Sequence, residues 1–505
     1  MKRLLLWVML TSLIQAPAVF AAGPNSTSKP EQPADAVADL RGLGKDRENL
    51  TPELIASRSR RLEETTNFYL LRFPQAATAP SRIFDDQIWK SIRAAAQQND
   101  LDPMVLGGMI FIESYGDPLA KSPTGPAGIA QLTKSSAKEM GLVVGKKIQT
   151  GTTEVTTTRK VGKGAKRRTI TQTKQVKVYR TIDERYDPDR AIMAMARRVK
   201  SRRVWLGGRL DFAIAEYHMG AGRMAKLLSA YFGRRVNAND MPSVMQNSGL
   251  TYPQLFWTNT PYFRAEVYKQ IEKLNRVDFS PTYYFRVQQA MRLLEVYRTS
   301  PSAYSALASS YVGRFGQTTL LNIQRSFASD TQVAELTLNR LKDIDAEMGQ
   351  RIVALPAIAS QHGVRARTAG AWPIAAERST IGCLLFVADE LRRLQGTKYK
   401  GFETSSMVRP LDSDSPKPDS TLPMHTFGWA FDLTRKPLSK DAVRDLKFIL
   451  TDLRFAGLLT FVEEGKPKDF HVVRHPDYAG RFEKYYWDAV ALTQASGSDA
   501  AERAR

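Results

Sequence analysis

The sequence predicts a multidomain chain: an α-helical domain carrying a basic β-hairpin insertion, a helical connector, and a C-terminal α+β domain. Three observations predict it. Apolar residues recur at helical spacing over 84–142 and again over 187–274. Between them, residues 143–180 hold eleven Lys or Arg against one acid and alternate in character from Thr169 to Tyr179. After a helical run at 381–394, four short segments with strand character follow at 402–408, 428–433, 458–463 and 470–473. A length of 505 residues suits two or three such units.

Lys2 and Arg3, an apolar run from Leu4 to Ile14, and small residues at Ala16, Ala18, Ala21 and Ala22 read as a secretory signal peptide over 1–22. The Pro-, Ser- and Ala-rich stretch 23–50 reads as a flexible linker. No later segment is long and apolar enough to cross a bilayer, and no cysteine near the cleavage position can take a lipid, so no transmembrane anchor is expected. The one cysteine, Cys383, excludes an intramolecular disulfide, and its apolar surroundings in sequence point to a buried, inert thiol. A formal charge of +22 calls for an acidic partner. For an exported, periplasmic or extracellular chain, that partner is anionic wall polymer or lipid head group in preference to nucleic acid.

The helical domain spans 84–275. Asp102 and Pro103 form a helix start, with Asp102 as N-cap and Pro103 in the first turn. The body, Met104 to Ile112, is apolar all round, so that helix is buried and Glu113 at its end has an apolar wall. The insertion 143–180 turns near Val161, Gly162, Lys163 and Gly164. It is either a solvated loop or a grip on an anionic polymer. Residues 276–372 read as a helical connector, with helical patterning at 285–296 and 336–341. The α+β domain takes 376–492 and ends in an amphipathic helix from Arg481 to Leu492; a polar tail covers 493–505.

Glu113 and Ser114, followed by Gly125, Ala127, Gly128, Gln131 and Leu132, resemble the Glu-Ser and glycine-rich motifs of the soluble lytic transglycosylases. Tyr186 to Ile192, and Ala213 to Arg223 with Tyr217 and Gly220, resemble the next two blocks in the same order. Pro261 to Val267, with Tyr262, is a weaker echo of the family's closing helix. Pro126, Ile129, Ala130 and His218 depart from the usual residues. The resemblance implies a lysozyme-like fold and cleavage of the MurNAc-GlcNAc β-1,4 bond of peptidoglycan. It implies that Glu113 serves first as acid and then as base, giving a 1,6-anhydro-muramyl product, with no cofactor. It further assigns Ser114, Gln131, Tyr217 and Tyr262 to binding the glycan, with Gly125 and Gly128 giving the backbone room beside the sugar.

The residues read alone agree. Most glycosidases use two carboxylates, yet here one Glu stands out, and Asp117 before Pro118 reads as a turn residue. Burial against Met109, Ile110 and Ile112 should raise the pKa of Glu113. Taken alone, Tyr217 would be a core aromatic; the motif around it favours the glycan.

Three of five histidines, His425, His471 and His475, fall in the C-terminal domain. His425, Gly428, Ala430 and Asp432 resemble the His-x-x-Gly-x-Ala-x-Asp motif of the zinc D-Ala-D-Ala peptidase and dipeptidase family (peptidase M15-like). That resemblance implies zinc held by His425, Asp432 and His471. It implies that Arg409 steadies the substrate. The family's general base would fall at Lys468, which leaves Asp469, Glu463 or Glu464 as substitutes, and Pro423 stands where the motif has Ser. Two His and one carboxylate leave room for a water on a catalytic zinc. Whether such a domain is an active peptidase or only binds wall peptides stays open, and His475 before Pro476 reads as a strand-end residue.

The combined reading is an exported enzyme acting on peptidoglycan glycan strands and stem peptides. A muramidase at the same Glu113 and a non-catalytic peptidoglycan-binding scaffold are the competing classes.

Overall fold

The computed structural model describes residues 49–161, 168–311, 352–367, 374–408, 425, 428–464, 469–475 and 478–502. The leader over 1–22, most of the linker, the hairpin turn, residues 312–351 of the connector, Arg409, Lys468 and the last three tail residues lie outside them. Among the described residues, no helix is long and apolar enough to cross a membrane.

Helix α1, Pro52–Thr65, opens the folded region, with Thr51 accepting from the Leu54 amide as N-cap. Helix α2, Asp86–Asn99, is capped by Asp85 and buries Ile88, Ile92, Ala95 and Ala96 on one face. Helix α3, Pro103–Ser114, starts as the sequence predicts: the Asp102 carboxylate accepts from the Met104 amide and Pro103 occupies the first turn. Every residue from Val105 to Phe111 is buried, so α3 is the axis of the domain.

The hairpin follows. Strand β1, Val144–Val161, pairs antiparallel with β2, Arg168–Asp183, from Val144 opposite Asp183 to Val161 opposite Arg168. Nearly all of its side chains are exposed, so the ribbon projects into solvent with no core of its own. Helices α4, Pro188–Trp205, α5, Leu210–Met219, and α6, Ala265–Val277, complete the part that the sequence assigned to the first domain.

The structure differs from the predicted connector at 276–311. Helix α7, Tyr283–Thr299, packs along α3 and belongs to the same core, as does α8, Pro301–Tyr311, through buried Tyr304 and Ala308. Glycine permits the close approach of α3 and α7. A Cβ on Gly108 would stand 2.8 Å from Met291 Cγ and 3.0 Å from the Val287 carbonyl oxygen. A Cβ on Gly107 would stand 3.2 Å from Leu294 Cδ1. Helical periodicity revealed an element here but not which core it would join.

The C-terminal domain is built on a five-stranded mixed sheet in the order β4-β6-β7-β9-β8. Its strands are β4 Val364–Ala366, β6 Phe402–Ser406, β7 Ala430–Thr434, β8 Leu459–Glu464 and β9 Asp469–Arg474. Strand β4 runs parallel to β6, and the other neighbours are antiparallel. A separate pair, β3 Ile352–Ala354 with β5 Ala375–Glu377, leads into helix α9, Arg378–Gln395. Helices α10, Lys440–Phe455, and α11, Ala479–Glu502, pack with α9 over a second core containing buried Cys383. Strands β3 to β5 are too short to show as periodicity in the sequence.

The two cores meet. Phe455 at the end of α10 lies against Phe256 and Trp257, with ring centroids 5.6 and 6.4 Å apart. Arg58 of α1 forms a buried ion pair with Asp452 at 3.8 Å, and the Trp257 indole donates to Ser59 Oγ at 3.1 Å.

Because a Cβ on Gly108 would meet the Val287 carbonyl at 3.0 Å, Gly108→Ala should cost roughly 1–3 kcal/mol through overpacking against backbone. Gly222→Ala, at a helical position with open space around it, should be neutral or gain up to about 1 kcal/mol. Chemical denaturation of both variants measures the difference, and equal midpoints would contradict the packing argument.

Candidate functional site

Glu113 sits in the last turn of α3. The helix ends at Tyr115, whose φ of 54° closes it in the left-handed region. Tyr283, fully buried at the first position of α7, donates its hydroxyl to Glu113 Oε1 at 2.7 Å. Burial pushes the Glu113 carboxyl up to about 7, against the opposing effects of the Tyr283 hydrogen bond and the Arg198 guanidinium. The group therefore exchanges a proton near neutrality. Asp117 does not supply a partner carboxylate: its Oδ1 accepts from the Leu119 amide at 2.8 Å, the turn role expected of it.

The residues assigned to the glycan are gathered around Glu113 in a different way. Ser114 Oγ donates to the Ile129 carbonyl at 2.7 Å. Tyr217 donates to the Ala130 carbonyl at 2.7 Å. Gln131, with φ of 44°, donates through Nε2 to the carbonyls of Gly128 and Ala120 at 2.9 and 3.2 Å. Ser114 and Tyr217 fasten the 120–132 loop to α3 and α5, and Gln131 ties the loop to itself. The space at Gly128 belongs to the protein, not to a sugar: a Cβ there would stand 1.6 Å from the Arg185 carbonyl oxygen. Arg185 also donates to the carbonyls of Gly125 and Leu132 at 2.9 and 3.0 Å.

Tyr262 differs from its expected place. Its hydroxyl donates to Asp445 at 2.6 Å and accepts from Arg444 at 3.0 Å, both in α10, so it serves the domain junction. The local echo of a motif carried no information about the second domain that covers this segment.

Two residues near Glu113 escaped the sequence reading. Tyr283 lies in the region taken for a connector. Arg198 of α4 stacks on the Tyr217 ring at 5.3 Å and pairs with buried Glu216. The adjacent Gly107 and Gly108 on an apolar helix were the available signal that another helix packs there. His218, which stands where the family has Asn, packs against Phe279 and Tyr283 with centroids 4.3 and 5.1 Å away. Its Nδ1 meets Ser280 Oγ at 2.9 Å, and burial lowers it to about 4, so it is neutral at physiological pH. It props the Tyr283 ring.

In the C-terminal sheet, Asp432 of β7 stands directly opposite His471 of β9. His425 is brought to them ahead of Gly428, which adopts φ of 70°. His425 Nδ1 bonds the Met407 carbonyl, so Nδ1 carries the hydrogen and Nε2 presents a lone pair. That Nε2 lies 3.2 Å from Asp432 Oδ1 and 3.1 Å from His471 Nδ1, and His471 Nδ1 lies 2.9 Å from Asp432 Oδ1. The three donor atoms converge with too few hydrogens to satisfy them, an arrangement that fits a cation. Burial alone would raise Asp432, but both histidines outweigh it and hold the carboxyl well below its usual range.

Arg409 lies outside the described residues. Asp469 accepts from the Arg435 amide at 2.9 Å and is not a partner of the cluster. Glu463 pairs with Arg435 and Lys447 and stands opposite Phe470, on the sheet face away from His471.

The sequence profile of the Transglycosylase SLT domain matches residues 90–162, which include α3, Glu113 and the loop after it. Membrane-bound lytic murein transglycosylase F of Pasteurella multocida is 29% identical over 210 residues, covering 38% of this chain and 33% of that protein. The protein of the same description in Saccharophagus degradans is 46% identical over 55 residues, 11% of each chain. A transglycosylase of Enterobacteria phage PRD1 is 39% identical over 56 residues, 11% of this chain and 21% of the phage protein. The chain thus spans a third or less of the length of these relatives.

The raised Glu113 has a thermodynamic sign. Its folded pKa exceeds the unfolded value, so the folded state holds the extra proton between about 4.5 and 7, and stability contributed by this group falls as pH rises through that window. Glu113→Gln should therefore be more stable than wild type at pH 8, by on the order of 3 kcal/mol at most, and nearly equal at pH 4. Thermal denaturation at both pH values reads this, and a variant no more stable at pH 8 would remove the case for a desolvated acid.

Proposed function

We propose that the chain cleaves the MurNAc-GlcNAc β-1,4 bond of peptidoglycan as an exported lytic transglycosylase, with Glu113 as its single acid and base. The observation that carries this is the Glu113 carboxyl, desolvated to about 7 at the end of a buried helix, with the Tyr283 hydroxyl on Oε1. Because Oε1 accepts from Tyr283, Oε2 is the oxygen left to carry the transferable proton.

The reaction then balances on one residue. Protonated Glu113 gives its proton to the glycosidic oxygen, and the C1–O bond breaks as GlcNAc leaves as an alcohol. The resulting carboxylate takes the proton of the muramyl 6-hydroxyl while O6 closes on C1. Glu113 ends protonated, and no water is consumed. A two-carboxylate hydrolase would need a second acid placed for attack or for activating water, and the charged group acting on Glu113 here is a cation, Arg198. The matches to the SLT profile and to proteins described as lytic murein transglycosylases support the same reading.

For the C-terminal domain, the convergence of His425, Asp432 and His471 favours a second reading, a zinc-dependent peptidase of the M15 type acting on wall peptides. These three side chains would hold the ion, which when bound polarises a peptide carbonyl and supplies a hydroxide near neutrality. His425 is oriented for this by the Met407 carbonyl, and the sheet register fixes Asp432 against His471.

Mass spectrometry of muropeptides released from purified peptidoglycan tests the first reading. Wild type should give 1,6-anhydro products, and Glu113→Gln should lose roughly 10²–10⁴-fold in rate. Reducing-end muramic acid instead would make the enzyme a muramidase, an unchanged Glu113→Gln rate would remove Glu113 as the acid, and no cleavage by wild type would leave a binding scaffold. Elemental analysis of the full chain tests the second: about one zinc per chain, lost in His425→Ala, is the expected result. A wild type that takes up no zinc would end the peptidase reading.

A further inference from the structure

The outer part of the β1–β2 ribbon, residues 151–161 paired with 168–178, stands in solvent away from both cores, and its register sorts its side chains. Residues directly opposite one another on two antiparallel strands share a face. Thr153 with Val176, Val155 with Lys174, Arg159 with Ile170 and Val161 with Arg168 therefore lie on one face, together with Val178 opposite Gly151. All five Val and Ile residues of this segment are on that face. Arg159, Arg168 and Lys174 share it, with no acid beside them.

The other face is built differently. Thr152, Thr156, Thr158, Thr169, Thr171 and Thr173 make most of it, and the hydroxyls of Thr156 and Thr173 meet across the strands at 3.1 Å. Glu154, the one acid of the segment, lies here and accepts from Gln175 Nε2 at 2.7 Å. Lys160 and Lys177 are the cations of this face.

Strand formation does not require such sorting, because Val and Thr both suit a pleated ribbon. A solvated loop would gain nothing from it. Val155, Val176 and Val178 keep 44%, 43% and 42% of their surface exposed. They occupy three consecutive pairs of the same face, so they form one cluster even though a two-stranded ribbon twists strongly along its length. Apolar side chains exposed as a cluster among cations mark an interaction surface.

The charge on this face selects the partner. A second copy laid face to face would set Arg159, Arg168 and Lys174 against their own counterparts, and like charges repel. A hydrophilic polyanion would satisfy the cations and leave the valines in water. An anionic bilayer satisfies both: the valines enter the boundary between head groups and acyl chains while the Lys and Arg heads stay among the lipid phosphates. The outer edges of the two-stranded ribbon carry unpaired backbone groups, which restricts it to the interface, where water still reaches them.

We propose that the Val-rich face of the ribbon docks on an anionic lipid surface, lying on the bilayer without spanning it. The proposal is independent of the reading of Glu113. The root of the ribbon is tied to the loop that follows the acid. Arg185, just beyond β2, pairs with Asp183 at 2.7 Å and donates to the Gly125 and Leu132 carbonyls, and Glu184 accepts from the Val143 amide at 2.7 Å. Docking thereby holds the helical domain at the membrane through a hydrogen-bonded root.

Vesicle flotation of the chain without its leader over 1–22 tests it. The probes are vesicles of phosphatidylcholine, vesicles in which phosphatidylglycerol replaces part of it, and soluble polyphosphate as a lipid-free polyanion. Binding to the anionic vesicles should exceed that to the neutral ones roughly tenfold or more and fall as salt rises. The triple variant Val155→Thr, Val176→Thr, Val178→Thr keeps every side chain β-branched and should bind the anionic vesicles roughly tenfold more weakly. Arg159→Gln with Lys174→Gln should also weaken binding roughly tenfold or more, and Lys160→Gln with Lys177→Gln, the same change of charge on the threonine face, by less than about threefold.

Wild type binding neither vesicle, or both equally, would overturn the proposal without reference to any variant. A triple Val→Thr variant that binds vesicles as wild type does, and polyphosphate equally well, would make the ribbon a grip on polyanions instead. Equal losses from the two charge pairs would show an effect of net charge and not of a docking face.

Discussion

The contact between α3 and α7 is the constraint on which the active site depends. One helix carries the acid at its end, and the other carries Tyr283 at its start. The hydroxyl reaches Glu113 Oε1 because Gly107 and Gly108 let the two backbones close to a distance that a Cβ would forbid. Burying Glu113 is unfavourable for its ionised form, and the cost is realised as a raised pKa instead of an unpaired charge. A tyrosine hydroxyl, unlike a lysine or arginine, satisfies the carboxyl without pinning it as an anion. Arg198 moderates the shift from farther away, where it is itself committed to Glu216 and Ser136. The carboxyl is thereby held near neutrality by burial and its tyrosine partner together.

The loop beside the acid follows from the same economy of polar groups. Ser114 and Tyr217 satisfy the Ile129 and Ala130 carbonyls, while Gln131 gives the Gly128 and Ala120 carbonyls a donor beyond the backbone amides they already accept from. Arg185 and the bare Cα of Gly128 join that loop to the turn ahead of α4. The polar atoms that the motif supplies are therefore used, in this structure, to hold the loop in shape.

What was legible in the sequence follows the range of the interactions. Asp102 and Pro103 announced the start of α3, the apolar run announced its burial, and alternation announced the β1–β2 ribbon, because each of these is a local property of the chain. His425 and Asp432 were legible because their motif spacing is local, and His471, 39 residues beyond Asp432, was legible only through the resemblance that pointed to a histidine on a later strand. Tyr283 was not legible. Its role depends on a contact 170 residues away in sequence, and the helix that carries it has the same periodicity whether it spans a gap or completes a core. Tyr262 shows the mirror case: the weaker local echo of a motif said nothing of α10, to which the tyrosine hydroxyl is bonded.

The junction also decides how far the two domains can be treated as separate machines. The Arg58–Asp452 pair is buried, and such pairs add little net stability but penalise any arrangement that separates the partners. Trp257, Phe256 and Phe455 pack across the same boundary, and Tyr262 is tied to Asp445. Taking away the C-terminal domain would expose Trp257 and leave Arg58 buried without Asp452, so the helical domain would lose part of the surface that holds α1 in place. Because α10 ends at this boundary with Phe455 against Phe256 and Trp257, the two cores share packed surface and not merely a covalent connection.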